Sequence, residues 1–135
     1  MDVITLTDSN YKEYINQDVV AFSFSGAGSM GEKCTVYIIN RLGEIFRAHF
    51  NEEILHEHIE EVCQPLKTVE YGIFGSDNKD KEWSPFYLGG GNFLQIHNSI
   101  LDIFKSEVEK KMNEKENFFL YSEWIDIVLS IAKPK

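Results

Sequence analysis

VVAFSFS (Val19–Ser25), GAGSMG (Gly26–Gly31) and, two residues later, CTVYIIN (Cys34–Asn40) decide how this chain folds. The first run alternates, with Val20, Phe22 and Phe24 on one side and Ala21, Ser23 and Ser25 on the other, as a half-buried strand does. The middle run is a literal G-x-G-x-x-G. In a dinucleotide-binding fold such a loop opens a helix whose N-terminal amides hold the pyrophosphate. The third run opposes that context, because β-branched and aromatic residues without an apolar helical stripe make a strand. The loop is therefore expected to join strand to strand. Protein kinases also set a glycine loop between strands, but this chain has no H-R-D, D-F-G or V-A-I-K motif. Out of context, the glycines read as a wide hairpin loop that needs positive φ angles.

Outward from there, Glu44–Phe50 is another strand-like run, joined to the third by a hairpin turn at Arg41-Leu42-Gly43. Upstream, a short helix is expected over Ser9–Gln17, with Asp8 or Ser9 as its cap. Downstream, Asn51 caps a helix to about Cys63, with Leu55, His58, Ile59 and Val62 as its inward stripe. Pro65 stops it. Thr68–Phe74 reads as a strand and Ser76–Glu82 as an exposed loop or hairpin tip. Trp83–Leu88 and Asn92–His97 are strands around Gly89-Gly90-Gly91. Ser99 caps a long helix with Leu101, Phe104, Val108 and Met112 at helical spacing. The last helix, Phe118–Ala132, carries Leu120, Trp124, Ile127, Val128 and Ile131 on its dry face. These elements predict an α+β fold, a single mostly antiparallel sheet of about five or six strands with helices packed on one face. No repeat or linker divides the chain, so residues 1–135 are expected to form a single α+β domain.

The 22 acids outnumber 13 bases, giving a formal net charge of −9. Counterion release rewards clustered Lys and Arg, so this sign argues against direct nucleic-acid binding and against anionic membranes. A basic protein is the partner such a field attracts. The N-terminal Met1–Thr5 lacks a basic n-region, and no run nears the ~18 apolar residues of a membrane span. A cytoplasmic location is expected. Cys34 and Cys63 lack metal-type or C-x-x-C spacing, which fits reduced core thiols.

Catalytic signals are missing at the level of spacing. There is no G-x-S-x-G elbow, and neither cysteine neighbours a histidine in sequence. His56 and His58, two apart on a helix, point away from each other. His56 and Glu60 share a face but supply two ligands where a metal site asks for three or four. No catalytic residue, metal or cofactor is expected, and binding is favoured over catalysis.

The 51–63 helix is the most informative surface, carrying Glu52, Glu53, Glu57, Glu60 and Glu61 with no Lys or Arg. Like charges four apart, Glu53 with Glu57 and Glu57 with Glu61, cost about 0.2–0.5 kcal/mol per pair. The later helix, by contrast, intersperses Lys105, Lys110 and Lys111. Glu53, Glu57, Glu60 and Glu61 are therefore candidates for a ridge facing a basic partner, with Trp83 as an aromatic anchor. A plainly solvated face and a packed Trp83 are the simpler alternatives. A different possibility is a small-ligand or enzymatic site built from the glycine loops, using Gly26, Gly28, Ser29, Gly31 and Gly90.

GAGSMGE (Gly26–Glu32), YGIFG (Tyr71–Gly75) and LGGGN (Leu88–Asn92) resemble a group of small uncharacterised bacterial proteins, over the central part of the chain. In size and acidity the chain is also similar to immunity proteins of bacterial polymorphic-toxin systems. That resemblance implies a single domain that binds and blocks a cognate toxin, often a basic nuclease. It rests on class alone and assigns no residue a role.

Overall fold

The first two strand runs pair as the sequence predicts. In the computed structural model, which describes residues 2–25, 35–49, 52–67, 69–72, 75–78, 82–89, 92–114 and 121–132, β2 (Val19–Ser25) and β3 (Thr35–Asn40) are antiparallel neighbours. With β1 (Val3–Thr5), β4 (Ile45–His49), β7 (Trp83–Gly89) and β8 (Asn92–His97), they form one six-stranded sheet in the order β1-β4-β3-β2-β8-β7. Only the edge pair β1–β4 is parallel. Between β4 and β7 in sequence, β5 (Val69–Gly72), in the run expected as a strand, pairs with β6 (Gly75–Asn78) in a separate two-stranded hairpin, so 76–78 are strand where a loop or hairpin tip was expected over 76–82, of which 79–81 lie outside the described residues.

Strand β2 departs from the half-buried expectation, because Val19 through Ser23 are all buried. Val19 opposes Asn40 while Ala21 opposes Ile39, so the register slips by one at Val20. Val20 and Ala21 consequently pack with Ile39, Ile45, Leu94 and Ile96. Phe22 joins Ile38 and Phe46 in the other cluster. Successive strand residues face opposite ways, so these clusters lie on opposite faces of the sheet.

The helices do not all pack on one face as expected: the short helix of residues 56–62 lies on the second face, while helices α2 (Leu101–Glu114) and α3 (Tyr121–Ala132) share the first. Trp124, Ile127 and Val128 are buried there, joined by Leu129 and Ala132, while Leu120 lies outside the described residues. The short α1 (His56–Val62), with the 3-10 turns Tyr11–Tyr14 and Gln64–Lys67, covers the opposite face, where Phe22, Ile38 and Phe46 need cover. The cap of α2 also differs from expectation. The His97 imidazole accepts the Ser99 N–H, and Ser99 sits inside a 3-10 turn, Asn98–Ile100, that leads into the helix.

The expected 9–17 helix shrinks to the turn Tyr11–Tyr14. Thr7 and Asn10 bond each other's backbone amides through their side chains, at 2.7 and 3.2 Å, which competes with helical bonding. The 41–43 hairpin turn forms as predicted, with Gly43 at φ 84° and its N–H donating to the Asn40 carbonyl at 3.0 Å. Among the described residues, no helix is long and apolar enough to cross a membrane.

Candidate functional site

Helix α1 has only seven residues and no side-chain cap of its own. A helix this short cannot hold itself together in water, so its order must come from tertiary contacts. Residues 8–17 supply them as a strap. At the N-terminal end, Asp8 Oδ1 accepts the Leu55 N–H at 3.0 Å and lies 2.7 Å from His58 Nδ1. A carboxylate only accepts, so Nδ1 carries the hydrogen. At the other end, the Asn16 and Gln17 amides donate to the carbonyls of Glu61 and Val62 at 2.8 and 3.1 Å. Tyr11 stacks flat on the His58 ring, centroids 4.1 Å apart. Below, Ile59 and Val62 are fully buried.

These contacts perturb two titrating groups. The hydrogen bond from the His58 ring, followed by that from the Leu55 amide, holds the Asp8 carboxyl below its ordinary value. Desolvation, followed by the charge of Glu61, pushes the Tyr11 phenol up, and that phenol donates a hydrogen bond to Glu61.

The helix begins later than its sequence indicates. The Glu53 carbonyl accepts the Asp8 N–H at 3.0 Å, which removes it from helical bonding, and Asp8 rather than Asn51 caps the first turn. Asn51 itself lies outside the described residues. Ile54 takes the buried position expected of Leu55, which is 46% exposed. Glu53 and Glu57 are therefore not a helical pair, and only Glu57 and Glu61 keep the four-residue spacing within α1.

Glu53, Glu57 and Glu61 are exposed and Glu60 partly so. Among the described residues, no Lys or Arg forms an ion pair with any of the four. Pairs that do form include Arg41–Asp18, Lys110–Glu107 and His58–Asp8. Trp83 is not part of this surface. It is 5% exposed, with its ring edge-on to Phe22 at 5.1 Å and to His97 at 5.0 Å. The glycine-loop candidates Gly26, Gly28, Ser29, Gly31 and Gly90 lie outside the described residues. Among the described residues, no three His, Cys, Asp or Glu side chains cluster as metal ligands.

One feature escaped the sequence. An open cleft of about 410 Å³ lies just past the C-terminal end of α1, with Asp18, Gln64, Lys67, Glu82, Trp83 and His97 in its walls. No spacing in the chain links these residues. The one available signal was the β7–β8 hairpin, whose register sets Trp83 directly opposite His97. No protein-family model matches this chain, and neither a curated protein nor a solved structure does.

Proposed function

We propose that this chain is a non-enzymatic binding protein that docks a basic protein partner on the acidic face of α1, as an immunity-type inhibitor docks its toxin. The observation that carries this reading is the set of exposed carboxylates, Glu53, Glu57 and Glu61, with no Lys or Arg paired to them among the described residues. They stand on a backbone tied at both ends, so little ordering is left to be done on binding. A net charge of −9 would steer a cationic partner toward them.

The test reverses charge where the fold does not use it. Glu61 holds the Tyr11 phenol and is left alone, and Glu53→Lys with Glu57→Lys is the suitable pair. The partner is first captured from toxin or other secreted proteins of the source cell, and association is then timed at two salt concentrations. The double variant should stay folded and associate more slowly, with a flatter salt dependence, losing about 0.2–1 kcal/mol per rim charge. A partner indifferent to both the substitutions and the salt places the interface elsewhere.

A further inference from the structure

We propose that Arg47 and the Thr5 hydroxyl form a binding site for an oxyanion, the carboxylate or phosphate group of a small ligand. The site belongs to the face of the sheet opposite α1, so it stands or falls separately from the acidic surface. Strand register builds it. Thr5 pairs with Arg47, and Arg47 with Tyr37, in one row across β1, β4 and β3. His49 and Thr35 pair in the next row, with Nδ1 and Oγ1 3.0 Å apart. In the preceding row, Ile45 and Ile39 are buried in the core shared with α2 and α3. Thr5, Thr35, Tyr37, Arg47 and His49 are each partly buried, where that core gives way to solvent.

These rows offer donors and positive charge without a protein anion. The residues that β1, β3 and β4 turn to this side include no Asp or Glu, although the chain has 22 acids. Arg47 forms no ion pair among the described residues. Its Nη2 donates to Thr5 Oγ1 at 2.9 Å, and its Nε is buried without a hydrogen-bond partner. Nη1 makes no bond among the described residues either, and it is not sealed from solvent. A guanidinium does not shed its proton in a protein, so the charge stays. Thr5 Oγ1, having accepted from Arg47, keeps its own hydrogen, which finds no acceptor among the described residues. Two unused donors therefore stand side by side, one of them cationic. A carboxylate or phosphate oxygen only accepts, and it is the group a guanidinium bonds best. Water can accept from both donors but leaves the half-buried charge without a counterion.

Inorganic phosphate and acetate are the probes, each titrated into the full chain at neutral pH and at constant ionic strength set with sodium chloride. Amide NMR shifts are the readout. At least one probe should give a saturable response centred on Thr5, Tyr37, Arg47 and His49, with the amides of Glu53 and Glu57 unmoved. A response to phosphate alone assigns a tetrahedral group, and one to acetate alone a carboxylate. Arg47→Gln should weaken the responding probe at least about tenfold, the loss of one charge-assisted hydrogen bond. Thr5→Val keeps the shape without the hydroxyl and should weaken it about threefold to tenfold. No saturable response to either probe, a response spread over the surface, or an Arg47→Gln variant that binds like the parent overturns the site. If Arg47→Gln fails to fold, Thr5→Val decides in its place, and unchanged affinity there overturns the site equally.

Discussion

Asn40 offers the sharpest test of how this fold holds its cleft. It is 2% exposed and uses its whole amide group. Oδ1 accepts from the Leu42 and Glu44 amides at 3.1 and 2.8 Å, while Nδ2 donates to Gln17 Oε1 at 2.9 Å and Glu44 Oε1 at 2.8 Å. Truncation by Asn40→Ala removes all four bonds. A neutral bond is worth about 0.5–1.5 kcal/mol net and one to a charged group about 1.5–3. Leu42 and Glu44 are exposed, so water can replace the lost acceptor at their amides and solvate the Glu44 carboxylate. With that discount, the expected loss is about 2 kcal/mol, most of it at the part-buried amide–amide link to Gln17. A urea m-value of about 2 kcal/mol/M turns this into a fall of about 1 M in the unfolding midpoint. Tryptophan fluorescence across a urea series measures it. Asn40→Asp is the control. It keeps both backbone amides satisfied but points an oxygen at Gln17 Oε1 and at the Glu44 carboxylate, so at pH 7 it should destabilise as much or more. Acidification should restore part of the loss, because a protonated Asp can donate again. A midpoint that barely moves in Asn40→Ala, or an Asn40→Asp variant that matches the parent at pH 7, would refute the assigned network.

Two further outcomes follow from groups around α1. The lowered carboxyl of Asp8 contributes stability that is present above the unfolded value of about 3.9 and is lost as pH falls through the lower folded value. The gap in urea midpoint between the parent and Asp8→Asn should therefore close on acidification below about pH 4, and a gap that stays constant there would show that His58 and Leu55 do not depress this carboxyl. Burial pushes the Cys63 thiol far up, so in a Cys34→Ser background a thiol reagent at pH 8 should label Cys63 only after unfolding in urea. Rapid labelling of the native protein would contradict its place under α1.

The sheet was legible because its signals are local. The β-branched and aromatic density of β3 and β4 and the glycine at position 43 each specify a strand or a turn within a few residues. Burial of β2 on both faces was not legible, since the slip at Val20 exists only relative to the register of β3. The start of α1 moved for a similar reason. Its capping group, Asp8, is separated from Leu55 by 47 positions in the chain, and a local reading had only Asn51 to choose. Trp83 was a candidate anchor with packing as the simpler reading, and its contacts with Phe22 and His97 decide for packing. The cleft draws on residues 17–19, 64–67, 82–83 and 97, four segments that meet only after the sheet and the strap are in place.

The strap leaves the charge on α1 without a role in holding the helix. Order in this helix comes from Asp8 at one end, the amides of Asn16 and Gln17 at the other, and Ile59 and Val62 beneath. None of those contacts uses the side chains of Glu53, Glu57 or Glu60. A lysine at position 57 or 60 would satisfy the same fold and would relieve repulsion of a few tenths of a kcal/mol between neighbouring carboxylates. Folding thus places no demand for acid at those positions and slightly favours a base. Asp18 directly follows the strap and stands in the cleft wall, so the segment that orders α1 also supports one wall of the cleft. That shared support is why substitutions within residues 8–17 should disturb the helix and the cleft together, whereas Glu57→Lys should leave the fold of both in place.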